Sequence, residues 1–230
     1  MLVTARLWRR GGGDPVSAMW LCVLAAPAAL VGARLYSWFT DAARGFATSP
    51  FDFAGGGLGI YGAVAGGALA LYVGLRARRW PVGTFLDCAV PGLALAQAIG
   101  RFGNYFNQEL YGRPSKLPWA LHVDPAFRPP GDEAIATYHP TFLYESIWDV
   151  LCAFALLVLL RHLPQRFGPG AVAASYLALY GFGRLLVEGL RDDPAYTIAG
   201  IRFNEIVSLA AMATTPLVLS MLARRKRPPR

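Results

Sequence analysis

Charge is scarce in this chain. Charged residues make up 16% of its 230 positions and apolar residues 55%, where a soluble domain carries about a quarter charged residues. That excludes a disordered chain and argues against an ordinary soluble globule. Cysteine is scarce too: Cys22, Cys88 and Cys152 each lie inside an apolar stretch. With no CxxC and no Cys/His spacing, neither a metal site nor a redox site is expected, and no cofactor is implied. The three read as small apolar packing residues. Acidic residues number 14 against 22 Lys and Arg, a net charge of +8. A basic chain can bind nucleic acid, but here the positive charge sits between apolar blocks. That is the pattern of a membrane topology rule, and no nucleic-acid partner is expected.

What is present is a series of long apolar runs. A bilayer core needs about 20 mostly apolar residues per helix. Six segments approach that length: Val16–Tyr36, Gly57–Leu75, Thr84–Gly100, Phe142–Leu160, Gly170–Gly189 and Glu205–Leu222. The third contains Pro91, and the fourth and fifth carry charges. No small-residue cleavage pattern follows the first, which reads as a retained helix and not a signal peptide. The fold expected is an all-α polytopic membrane helix bundle with six spans, forming one integral membrane domain over 1–230.

The basic residues orient it. Arg6, Arg9, Arg10, Arg76, Arg78, Arg79, Arg161, Arg166 and the cluster from Arg224 to Arg230 fall on one side of a six-span bundle. Arg44, Arg113, Lys116, Arg128, Arg191 and Arg202 fall on the other. The bias puts both termini in the cytoplasm and the loops 37–56, 101–141 and 191–203 outside. Residues 113–138, rich in Pro and charge around 114–130, cannot span a membrane and read as an extracytoplasmic arm between spans three and four. Gly55-Gly56-Gly57 and Gly66-Gly67 give the second span a small face suited to close helix packing.

Ionisable groups at membrane depth are costly and point to function. Arg34, Arg101, Glu109, Glu145, Asp149, Arg184 and Glu188 all gather at the outward ends of their spans, which predicts a polar pocket opening toward the outer leaflet. Tyr180, Arg184 and Glu188 are spaced by four, so they share one helical stripe, with Arg191 near the next turn. The stripe can grip an anion, or Arg184 and Glu188 can neutralise each other. Arg101 as a second arginine favours an anionic ligand, because a guanidinium holds phosphate bidentately and keeps its charge. From Gly100 to Gly112 the chain sets Arg101, Asn104, Asn107, Gln108 and Glu109 among glycines, which permit close backbone approach to a ligand. Asn104 and Asn107 offer neutral donors and acceptors there. His139 precedes Pro140 at a helix start, where it can serve as a structural hydrogen bonder or a base. Glu145 is expected to partner an arginine.

These residues resemble a known family, prolipoprotein diacylglyceryl transferase, an integral enzyme of the bacterial plasma membrane. Its signature Gly-Arg-x-Gly-Asn-Phe-x-Asn-x-Glu-x-x-Gly is matched from Gly100 to Gly112, with Tyr105 at the phenylalanine. His139–Glu145, Tyr180–Arg191 and Gly32–Tyr36 look like further family blocks. The resemblance implies transfer of the diacylglyceryl group of phosphatidylglycerol to the lipobox cysteine thiol of lipoprotein precursors. A thioether forms and glycerol phosphate leaves, the first step of lipoprotein maturation. Arg101 matches the phosphatidylglycerol-binding arginine and Arg184 a second essential one. Glu109 and Tyr180 match positions tied to activity, and Asn104 and Gly112 match signature positions. Arg34, Tyr61, Asn107, His139, Glu145 and Glu188 complete the implied substrate site.

Two departures stand out. Where many members carry His-Gly-Gly in the second span, with its histidine proposed as base, this chain has Tyr61 in the histidine's place. A phenol with a pKa near 10 is a poor base at neutral pH, so activation of the thiol by the field of the arginines is favoured. Members also usually have seven spans, and this chain starts at what resembles the loop after their first helix. A shortened relative acting as a membrane scaffold is therefore one alternative, and an anion transporter built on the buried arginines another.

Overall fold

The computed structural model describes residues 1–43, 49, 51, 59–191 and 196–226. Arg44, Gly55, Gly56, Gly57, Arg227 and Arg230 lie outside the described residues. The chain falls into two compact units, 1–88 and 89–230.

In the first unit α1 (Leu2–Arg10) is followed by α2 (Pro15–Ala43) and α3 (Ile60–Ala77). The stretch at α1, read as a loop from the sequence, is helical. Its apolar side buries Ala5 and Trp8, and the Trp8 ring packs on Trp80 and Phe85. Such burial stabilises a short helix that its own propensity would leave marginal. The start of α2 is set by Asp14, whose carboxylate accepts from the backbone N–H groups of Val16 and Ser17. The Ser17 side chain, and then those backbone hydrogen bonds, hold its carboxyl below the usual range, and Pro15 fits the first turn because it has no N–H to satisfy.

α2 and α3 pack on glycine. A Cβ on Gly62 would meet the Gly32 carbonyl oxygen at 2.1 Å, and one on Gly66 would meet the Ala28 carbonyl oxygen at 2.4 Å. The small face expected from Gly66-Gly67 is therefore the contact itself, with backbones too close for side chains.

α4 (Val82–Gly100) leads into the second unit, which continues with α5 (Phe102–Asn107), α6 (Thr141–Leu159), α7 (Leu163–Phe167), α8 (Ala171–Glu188) and α9 (Phe203–Lys226). Among the described residues, five helical segments are long and apolar enough to cross a membrane: Pro15–Thr40, Ile60–Ala77, Val82–Asn107, Thr141–Leu159 and Phe203–Lys226. With the family reported below, they make this a multi-pass membrane protein. The sixth expected span is the helix α8, about 27 Å long, but Arg184 and Glu188 inside it lower its apolarity.

Val90, Ala94, Cys152, Ala153, Leu156, Val172 and Tyr176 form the core between α4, α6 and α8. Tyr176 donates to Gln97 at 2.7 Å, and Ser146 to the Ala98 carbonyl at 2.9 Å, so these two buried hydroxyls are paired. α8 is thinned where it is crowded. A Cβ on Gly181 would lie 2.8 Å from the Ser208 carbonyl oxygen of α9, and one on Gly183 would lie 2.0 Å from the Trp148 indole nitrogen of α6.

The arm between α5 and α6 contains β1 (Leu121–His122), a 3₁₀ turn (Pro125–Phe127) and β2 (Thr137–Tyr138). β1 and β2 pair antiparallel, with Leu121 opposite Tyr138. β3 (Thr197–Ile198) and β4 (Ile201–Arg202) form a second small hairpin before α9. Gln108 ties the arm to the end of α5, donating to the Asp124 carboxylate and accepting from the Asp124 N–H, both at 2.7 Å.

Candidate active site

In the second unit the alternating direction of the helices brings the end of α4, the start of α6, the end of α8 and the start of α9 together. Each contributes charge. Arg101, at the joint of α4 and α5, pairs with Glu145 of α6 at 3.0 Å. The other oxygen of Glu145 takes Arg184 of α8 at 2.8 Å. Arg184 reaches on with its second terminal nitrogen to Glu188 at 2.6 Å, one turn along the same helix. Glu188 also accepts from Arg202 of β4 at 2.7 Å and from Asn204 at 3.3 Å. The result is a line of alternating charge, three guanidiniums and two carboxylates, with one positive charge in excess.

The two carboxylates are deeply buried and the three arginines only partly so. Each arginine has five N–H donors. Arg101 commits one terminal nitrogen to Glu145, so most of its donors remain for a ligand. The crevice between Arg101 and Arg184 is lined by Glu145, Trp148, Asp149, Tyr180 and Gly183. It holds about 10 Å³ of space for a water-sized sphere, enough for one water and too little for a glycerol phosphate. An anion of phosphate size that entered here would compete with the Glu145 carboxylate for the arginines. Of the two readings of the α8 stripe, the structure shows the Arg184–Glu188 ion pair; Arg184 also lines this crevice.

The other expected residues have different neighbours. Asn104 and Asn107 both donate to one oxygen of Glu109, at 3.2 and 3.0 Å. They organise the exposed end of α5. The ring of His139 hydrogen-bonds the Tyr144 hydroxyl at 3.2 Å, which also accepts from Trp119 at 3.0 Å. Gly112 donates to the His139 carbonyl at 2.9 Å and bridges to Arg191. A Cβ there would meet the Leu190 carbonyl oxygen at 2.7 Å and His139 at 2.9 Å, so close backbone approach within the protein requires this glycine. In the first unit, Arg34 is buried and donates through Nε to the Ser49 carbonyl at 3.1 Å. Tyr61 packs there against the ring of Tyr36, centroids 5.9 Å apart.

Sequence reasoning gave no site role to Arg202 and Asn204. They precede an apolar run as loop residues, and nothing in their spacing announces that Glu188 needs them. Asp149 stood out as a charge at membrane depth but carried no role.

The model of the family described as prolipoprotein diacylglyceryl transferase matches residues 1–221. The phosphatidylglycerol–prolipoprotein diacylglyceryl transferase of Frankia alni is 45% identical, covering 98% of this chain and 60% of its own length. A Streptomyces coelicolor relative of the same name, numbered 2, is 44% identical over 96% of this chain and 70% of its own. That of Cutibacterium acnes is 40% identical over 96% of this chain and 75% of its own. The chain thus spans about 60% of the length of the Frankia relative. With a family match that takes in both arginines, the signature from Gly100 to Gly112 and the whole stripe on α8, this chain belongs to the prolipoprotein diacylglyceryl transferase family.

Proposed function

We propose that this protein transfers the diacylglyceryl group of phosphatidylglycerol to the cysteine thiol of a lipoprotein precursor's lipobox, in a bacterial plasma membrane. The observation that carries this reading is the pair of guanidiniums, Arg101 and Arg184, sharing Glu145 beside Tyr180. The reaction breaks a carbon–oxygen bond and leaves its electron pair on a phosphate. Fixed positive groups in a site of low dielectric stabilise that charge far better than water does. Arg101 binds the phosphate of the lipid. Arg184, oriented by Glu145 and Glu188, takes up the charge that develops on the departing oxygen, and Tyr180 donates a hydrogen bond at the same crevice.

The remaining expected residues support the substrate less directly. Asn104, Asn107, Glu109 and Gly112 shape the turn that presents Arg101. His139 and Tyr144 fix the start of α6 and so the place of Glu145. Arg34 and Tyr61, in the first unit, are further candidates for contact with substrate. Both termini lie in the cytoplasm, and the arm faces outward, where precursors emerge.

The test is direct. The protein in phosphatidylglycerol liposomes is given a lipobox peptide, and the peptide mass is read. A gain of one diacylglyceryl group on cysteine, with glycerol phosphate released, supports the reading; an unmodified peptide contradicts it.

A further inference from the structure

Transfer to a thiol needs somewhere for the thiol's proton to go. The thiol has a pKa near 8.5, so only a few per cent is ionised at neutral pH. An acceptor must have a free lone pair at the reacting site. Glu145 has both oxygens on arginines, and both oxygens of Glu188 lie at ion-pair distance from arginines, although its Oε2 accepts no well-aligned hydrogen bond. Glu109 is exposed and already accepts from two asparagines. The His139 Nδ1 is engaged by Tyr144.

Asp149 differs from all of these. It lies one turn beyond Glu145 on α6, is 4% exposed, and lines the crevice with Arg101, Arg184 and Tyr180. Among the described residues its buried Oδ2 accepts no hydrogen bond and, unlike the Glu188 Oε2 beside Arg184, is held by no arginine. A carboxylate oxygen out of water without a donor is costly, and the group beside it is a cavity of one water's size. The ionisable groups around it are Glu145 and Cys152 on its own helix, Arg101 at the end of α4, and Tyr176, Tyr180 and Arg184 on α8.

We infer that Asp149 is the general base that accepts the substrate thiol's proton, directly or through one water in the crevice. This rests on the transferase reading above. The S–H proton passes to the Asp149 carboxylate. The sulfur forms a bond to the glyceryl carbon that carries the phosphate ester, and the carbon–oxygen bond breaks with its electron pair going to the phosphate. Glycerol phosphate leaves with one more negative charge than the lipid carried, and Asp149 returns its proton to water.

The experiment compares wild type, Asp149→Asn and Asp149→Glu in phosphatidylglycerol liposomes, reading kcat/KM for a lipobox peptide from pH 6 to 10. A general base contributes about 10²–10⁴-fold. Asp149→Asn, nearly the same shape, should fall about 100-fold at pH 7 and recover most of that above about pH 9, where the thiol ionises unaided. Asp149→Glu should keep activity within about tenfold. An Asp149→Asn loss that is equal at every pH, or no loss at pH 7, overturns the assignment while leaving transfer by the wild type standing. A wild type inactive at every pH overturns the transferase reading and this inference with it.

Discussion

Arg101 and Arg184 sit on different helices and hold the two oxygens of one carboxylate, at 3.0 and 2.8 Å from Glu145. Two guanidiniums would repel at this range, and Glu145 is what permits them to stand together. The same carboxylate fills the space between the two arginines, and on the proposed function a phosphate would have to take its place. On the proposed function, substrate binding would exchange one anion for another at these arginines.

Replacing Glu145 should therefore cost both fold and site. Removing one member of a buried ion-pair network costs about 3–5 kcal/mol. Glu145→Gln keeps the shape and loses the charge, so it should lower the midpoint of thermal unfolding in detergent by several degrees. An unchanged midpoint would show that the arginines do not depend on it.

Gly183 and Gly62 are predicted to fail for different reasons. An alanine at 183 presses on the Trp148 side chain, and such overpacking costs about 1–3 kcal/mol. Trimming Trp148 to leucine should relieve part of that loss, so the two changes should be strongly non-additive in a thermal-unfolding cycle. Additive losses would contradict the contact.

An alanine at 62 instead meets the Gly32 carbonyl oxygen, which belongs to backbone and cannot turn aside. No second-site trimming should rescue Gly62→Ala. Gly103→Ala, where a Cβ meets nothing within 4 Å, serves as the control and should unfold with the wild type. Equal midpoints for all three proteins would contradict the close α2–α3 crossing.

Much of this arrangement was legible beforehand, and the reasons differ by feature. Apolar runs near bilayer length located α2, α3, α4, α6, α8 and α9 to within a few residues of their observed ends, α2 apart, because composition alone sets them. α2 runs on to Ala43 through Trp38 and Phe39, past the Tyr36 end expected for it. α1 was missed: nine residues with four arginine or tryptophan side chains show no apolar run, and the helix is held by Trp8 packing on Trp80 and Phe85. The strands of the arm are two residues long, too short for any periodicity. Arg101, Glu145, Arg184 and Glu188 were visible as charges in apolar surroundings. The Arg184–Glu188 pair was legible as i, i+4 neighbours and Glu145 was expected to take an arginine; that it takes both Arg101 and Arg184 was not legible, since that depends on three helices meeting. Nor was the crevice's small size, because an open pocket and a self-paired one have the same sequence signature.

Tyr138 offers a test outside the membrane spans. It is buried at the base of the arm, 1% exposed, stacked on Tyr111 with centroids 4.6 Å apart, and its hydroxyl has no partner. Burial pushes its phenol above the usual range, with Asp132 adding to the shift. Below pH of about 10 both folded and unfolded forms carry a neutral phenol. Above that, the unfolded chain ionises first, so stability falls as pH rises. Tyr138→Phe removes an unsatisfied hydroxyl and should equal or slightly exceed wild type in stability at pH 7, with a smaller loss at alkaline pH. Marked destabilisation at pH 7 would contradict it.

The central claim is that a planar, two-headed cation at position 184 is required. One nitrogen of Arg184 meets Glu145 and the other meets Glu188, a span that a single ammonium cannot reproduce. The measurement is kcat/KM for diacylglyceryl transfer to a lipobox peptide by Arg184→Lys beside wild type. Loss of an electrostatic group at the developing charge predicts a fall of about 100-fold or more with the protein still inserted; turnover equal to wild type would contradict the account.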